Sequence, residues 1–364
     1  MTRITFDRRG AAVLFGALAL AACDGSDNPF KPELGFIAGT KENQQIGVVV
    51  NSTEHALTLF QLGDPSQTRQ VSLGSSSLIT PVGLSIRGTR AAVPLGNAAS
   101  VAIVDLEGQK IERFFILPGG NLTGSAWADD RSGLVANTVA DYVGRFSLDQ
   151  AGDTVKARVQ VAPAPTEIVM AGDRAMVVSG NLDDNYNYIG NGIVTALDPA
   201  TLKVLGTVTT GGKNSASAAL GPDGLLYVLN TEDYVKESTV TIIDPKTLQA
   251  TATVGGFGTG AGKITIDRSG LAYVSGFFTG TLVWNTRTRQ FVRGTDNPVC
   301  AKTTSGACRG AFDAQADENG MLYQVFFGSR DYAPRVFVYR PGSFQLADSL
   351  SAGQGPSSIE IRKF

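Results

Sequence analysis

The chain has 364 residues, a formal net charge of −2 and 18% charged residues. That length can bury a large core, and the near-neutral balance leaves no electrostatic footprint for nucleic acid. With one histidine, His55, a His-rich metal site is excluded and any Ser-His-Asp triad would have to use that residue.

Residues 1–22 read as an export signal. Arg3, Arg8 and Arg9 precede an apolar run, Ala11 to Ala22, that is too short to span a bilayer comfortably. The run ends Leu20-Ala21-Ala22-Cys23, which resembles the lipobox of bacterial lipoproteins. That resemblance implies a lipid on Cys23 and attachment through acyl chains rather than a helix. An ordinary signal peptide with an incidental cysteine is the alternative. Asp24 follows, and the periplasmic face of the inner membrane and the outer membrane both stay open as locations. Asp7-Arg8-Arg9-Gly10 loosely resembles a twin-arginine signal, so Sec and twin-arginine export stay open too. Residues 23–34 hold two prolines among polar residues and read as a lipidated tether.

Residues 35–364 carry a repeat of about 46 residues, a period that marks solenoids, propellers or arrays. Each copy holds four short β-type runs, a to d. In the fifth copy the a run is Ser215 to Leu220, followed by the turn Gly221-Pro222-Asp223-Gly224. The b run starts at Leu225, the c run at Ser238 and the d run at Leu248. Asp198-Pro199-Ala200-Thr201-Leu202 and Asp244-Pro245-Lys246-Thr247-Leu248 place a turn between c and d in the fourth and fifth copies. The b runs begin near Ile46, Arg90, Gly133, Asp173, Gly224, Gly270 and Gly320. The pattern predicts an all-β, seven-bladed β-propeller of four-stranded antiparallel blades. Small residues in the a runs (Gly83, Gly124, Ser125, Ser215, Ser217) suit strands that converge near an axis. The first copy lacks an a run, and residues 355–364 read as a lone a strand. Pairing that tail with the first b strand would close the ring and protect its edges.

Tyr227-Val228-Leu229-Asn230, Ile243-Asp244-Pro245, Thr247-Leu248 and Thr253-Val254 resemble the YVTN-repeat family of seven-bladed propellers, which includes YncE-like proteins. The resemblance covers about residues 40–364. It is strong in the fourth to sixth copies, and Tyr323-Gln324-Val325-Phe326 and Ala91-Ala92-Val93-Pro94 depart from it. It implies architecture more than activity, since such folds host varied functions.

In this topology the b–c and d–a loops share one face, the top. Three b–c loops carry one dipeptide: Asp141-Tyr142, Asp233-Tyr234 and Asp331-Tyr332. The fourth copy adds an insertion with Tyr186 and Tyr188, and the sixth adds Phe277 and Phe278. Glu167, Lys263 and Arg309 fall near the starts of a runs, at the channel mouth. Together these form an aromatic, mixed-charge cup suited to a peptide, glycan or protein loop. The competing reading is structural, with Asp closing turns and Tyr covering blade ends. Asp183 and Asp184 could hold calcium but lack the spacing of an EF-hand loop, which favours a solvated loop. His55 follows Glu54 in a loop with no nucleophile motif beside it. Cys300 and Cys308 remain for a disulfide in an exported domain, closing a top-face loop that pins Arg309.

These features favour a membrane-anchored envelope scaffold, monomeric in its propeller, that binds an envelope protein or a peptide or glycan ligand without a cofactor or metal. The alternative is a periplasmic enzyme, a lactonase-like hydrolase or cofactor-dependent dehydrogenase, working in the central channel.

Overall fold

The b and c runs are mostly apolar and mostly buried, while the d runs are largely exposed. Lys110–Ile116 alternates exposed positions with part-buried ones and the buried Phe115, whereas Gln45–Asn51 is buried at every position. Strands covered on both faces read as continuous apolar runs, so b and c must lie between neighbouring sheets. The computed structural model describes residues 36–37 and 45–364. The export signal, Cys23 and the tether lie outside the described residues.

Blade 1 begins with β1 (Gln45–Asn51), β2 (Ala56–Gln61) and β3 (Asp64–Ser72). Blade 2 is β4 (Ser85–Arg87), β5 (Arg90–Pro94), β6 (Ser100–Asp105) and β7 (Lys110–Ile116). Blade 3 is β8 (Leu122–Trp127), β9 (Ser132–Asn137), β10 (Tyr142–Ser147) and β11 (Arg158–Gln160). Blade 4 is β12 (Pro165–Ala171), β13 (Arg174–Ser179), β14 (Asn191–Leu197) and β15 (Val204–Lys213). Blade 5 is β16 (Ser215–Leu220), β17 (Leu226–Asn230), β18 (Thr239–Asp244) and β19 (Gln249–Val254). Blade 6 is β20 (Ala261–Ile266), β21 (Leu271–Gly276), β22 (Gly280–Asn285) and β23 (Gln290–Arg293). Blade 7 is β24 (Asp313–Ala316), β25 (Leu322–Phe326), β26 (Arg335–Tyr339) and β27 (Leu346–Ser351). The last strand, β28 (Pro356–Lys363), is the innermost strand of blade 1 and pairs antiparallel with β1, Val49 opposite Ile359. The seven blades thus form a β-propeller closed by the C-terminal strand, with no helix among the described residues.

The innermost strands contact one another in turn, with β28 between β24 and β4. Hydroxyl and backbone hydrogen bonds tie each blade to the next around this inner ring. Ser85 meets Ser125 at 2.9 Å, Thr123 donates to the Pro165 carbonyl at 3.3 Å, and Thr166 donates to that of Ser215 at 3.3 Å. The Ile264 amide donates to Ser217 Oγ at 3.3 Å, Thr265 to the Ala314 carbonyl at 2.5 Å and the Ile359 amide to Asp313 at 3.1 Å. Ser357 reaches the Pro81 carbonyl at 3.5 Å and completes the circuit. The small residues of the a runs therefore carry bonds as well as saving space. Where space is tightest only glycine fits: a Cβ on Gly124 would lie 2.6 Å from the Thr166 carbonyl of the next blade. Gly83 precedes β4 and still packs on the inner ring, since a Cβ there would lie 3.7 Å from the Thr123 carbonyl of β8.

The repeat's recurrent Gly closes the a–b turn. Gly224, Gly270 and Gly320 hold φ of 79°, 88° and 77°, a region glycine enters without penalty. The turn's Asp then latches the following strand: Tyr227 donates to Asp223 at 2.7 Å and Tyr273 to Asp267 at 3.0 Å. Burial and that carboxylate push the Tyr227 phenol up to about 12, so it stays a donor. The Asp-Pro turns work similarly, with Asp198 and Asp244 each accepting amides two and three residues on. The top face is thereby built from loops that join b to c and d to a.

Candidate functional site

At the top of the channel, β12 and β20 aim Glu167 and Lys263 at each other. The two form an ion pair across blade 5, which lies between them and carries the small Ser217 at that level. Asp313 lies beside them, 1% exposed, accepting from the Ser358 hydroxyl at 2.9 Å and the Ile359 amide at 3.1 Å. Glu360 of β28 completes the group and is paired with Arg362. Burial opposes the charge on Lys263. The charges of Glu167 and Asp313, with the hydrogen bond that Lys263 donates to Glu167, outweigh it and hold the ammonium above its usual range. Burial pushes Asp313 up against the pull of Lys263, and pushes Glu360 up against that of Arg362. One lysine thus organises carboxylates from blades 4, 7 and 1. The pair closes on itself, which makes it a brace of the channel mouth.

Above the channel, three consecutive b–c loops expose large apolar side chains. Tyr186 and Ile189 project from the β13–β14 loop at 65% and 60% exposure, and Tyr234 and Val235 from the β17–β18 loop at 58% and 82%. Phe277 and Phe278 project from the β21–β22 loop at 55% and 65%. Tyr188 and Tyr234 are electrostatic neighbours, and burial raises the Tyr188 phenol with help from Tyr234, Asp233 and Glu232. The rings of Phe278 and Tyr234 flank Gly260, whose Cβ would lie 3.0 Å from one and 3.7 Å from the other. Phe277 stacks edge-on with Phe278 at 5.3 Å and with Phe312 at 4.9 Å, and Phe312 stacks on Phe327 at 4.8 Å. An aromatic arc therefore runs from blade 4 to blade 7 along the rim. Phe312 and Phe327 were missed in the sequence. The signal was there for Phe327, which follows the last residue of β25 just as Phe277 follows the last residue of β21.

The three Asp-Tyr pairs do three different things. Tyr142 opens β10, is 4% exposed and donates to the Pro118 carbonyl at 2.9 Å, so it belongs to the core and not to the cup. Its neighbour Asp141 accepts the Ala164 amide at 2.8 Å. The β9–β10 loop is short enough that Tyr142 is drawn into the strand. Asp233 accepts the amides of Val235 and Lys236 at 3.1 and 2.7 Å and presents Tyr234 outward. Tyr332 is half-buried, and the Thr304 hydroxyl and amide bind its phenol oxygen at 3.1 and 3.0 Å and hold its pKa below the usual range. Asp331 beside it is exposed.

Cys300 and Cys308 form a disulfide with Cα atoms 5.5 Å apart. The bridged loop does hold Arg309, but not toward the channel. The guanidinium lies 3.9 Å over the Tyr332 ring and 5.6 Å from the rings of Phe326 and Phe337, within blade 7. Glycine is required next to it, because a Cβ on Gly310 would collide with the Phe277 carbonyl. Asp183 accepts the Asn187 side chain at 3.1 Å and the Asn187 and Asn185 amides at 2.8 and 2.9 Å, which together lower its pKa. Among the described residues no group of three or more His, Cys, Asp or Glu is arranged to hold a metal.

No protein-family model matches this chain, and no curated protein matches it significantly. Solved structures do. The chain is similar to Kuenenia stuttgartiensis hydrazine synthase, 13% identical over 80% of this chain and 97% of that one, at a TM-score of 0.61. It is also similar to a functionally unknown protein from Desulfotomaculum acetoxidans, 14% identical over 87% and 98% of the two chains, at a TM-score of 0.64. At such identities the likeness establishes the propeller fold alone.

Proposed function

We propose that this protein is a lipid-anchored propeller of the bacterial cell envelope whose top face binds a partner protein or ligand without turning it over. The observation that carries the reading is the exposed aromatic arc on blades 4 to 6. Exposed large apolar side chains gathered on one face mark interaction sites, whereas scattered ones do not. Tyr and Phe there supply rigid contact area at small entropic cost. The ordered series of arginines, apolar run and Leu20-Ala21-Ala22-Cys23 supports the anchor, and Tyr227-Val228-Leu229-Asn230 supports a place among YVTN-repeat propellers.

The full chain, purified from its own envelope, tests this reading. Wild type is expected to recover one partner reproducibly and Tyr234→Ala/Phe278→Ala to lose it at unchanged stability. Equal recovery by both would contradict the binding face. A chromophore or stoichiometric metal in the wild-type preparation would overturn the non-enzymatic part. The same preparation should carry acyl chains on Cys23 by mass.

A further inference from the structure

We infer that the top face of blades 4 to 6 takes a cationic, extended segment of a partner protein. This rests on the reading of that face as a binding surface and adds the chemistry of what it binds. The β13–β14 and β17–β18 loops carry five carboxylates, Asp183, Asp184, Glu232, Asp233 and Glu237, against one lysine, Lys236. Asp184 and Glu237 are exposed and have no ion-pair partner among the described residues. The rings of Tyr186, Tyr234 and Phe278 stand among these charges.

A lysine or arginine side chain fits such a surface in two parts. Its alkyl stem lies on an aromatic ring while its head reaches a carboxylate, and the ring's negative face adds attraction. The aromatic half of this arrangement is already used by this chain's own cations. Lys213 lies 5.8 Å over the Tyr188 ring, and Arg309 lies 3.9 Å over Tyr332. An acidic segment would meet like charge, and a neutral glycan could donate hydroxyls to the carboxylates but would gain no ion pair from them.

The test uses the full chain and three fluorescent probes: a peptide of alternating lysine and serine, its glutamate counterpart, and a neutral β-glucan oligosaccharide. The lysine peptide is expected to bind and to weaken as salt is raised. Asp184→Asn/Glu237→Gln and Tyr234→Ala/Phe278→Ala should each weaken it by about tenfold. Equal binding of the glutamate peptide, preference for the oligosaccharide, or indifference to Asp184→Asn/Glu237→Gln would overturn the cationic segment. A partner photocrosslinked at position 278 through a stretch lacking Lys and Arg would also overturn it, yet leave the binding face standing. Failure to capture any partner there would remove the binding face itself.

Discussion

Tyr142 and Tyr234 follow the same residue at the same place in their repeats and end in opposite environments. Tyr142 is a core residue, so Tyr142→Ala should cost about 3 kcal/mol, in the range for truncating large buried side chains. Tyr234→Ala should change stability by less than about 0.5 kcal/mol, since its ring faces solvent. Urea denaturation of the two variants measures both, and equal losses would contradict these placements. Asp313 yields a second residue-scale expectation. Its folded carboxyl is raised by burial, so above the ordinary Asp range the folded state holds a proton that the unfolded chain has released. Its contribution to stability therefore falls as pH rises through that window. Asp313→Asn cannot titrate there and should gain on wild type as pH rises above the ordinary Asp value of ~4. A constant difference across that range would contradict the assignment.

At the element scale, the strands and their order were legible because turn chemistry and burial repeat with the period. The Gly before the b runs of blades 5 to 7 predicts a turn, and the structure shows why: its φ is positive, and in blades 5 and 6 the turn's Asp latches a tyrosine. The lone a run at the end of the chain was legible as the closing strand for the same reason. What a loop does was not legible. Asp331-Tyr332 and Asp233-Tyr234 differ through contacts with Thr304 and Gly260, which lie far along the chain. Arg309 likewise looked like a channel residue from its position before an a strand, yet three rings of blade 7 hold it. The closing strand offers the prediction for this scale. Ile359 and Ile361 are buried between blades 7 and 1. Deleting residues 359–364 removes roughly 3–6 kcal/mol of burial together with the ladder to β1. The melting temperature should fall sharply, and an unchanged value would reject closure by β28.

At the scale of the whole molecule, the regular and irregular parts of the repeat serve different ends. Inner-ring hydrogen bonds and the Lys263–Glu167 brace make the ring a rigid support. The insertion in blade 4, the long loop of blade 5 and the Phe277-Phe278 doublet of blade 6 stand side by side on one rim of that support. We propose that this rim is the working surface. Site-specific photocrosslinking in intact envelopes addresses it most directly, with the probe placed at Phe278 on the top or at Ser269 in an a–b turn on the opposite face. A working rim gives a discrete adduct from position 278 and none from position 269. Adducts from position 269 alone, or the same adducts from both, would contradict it.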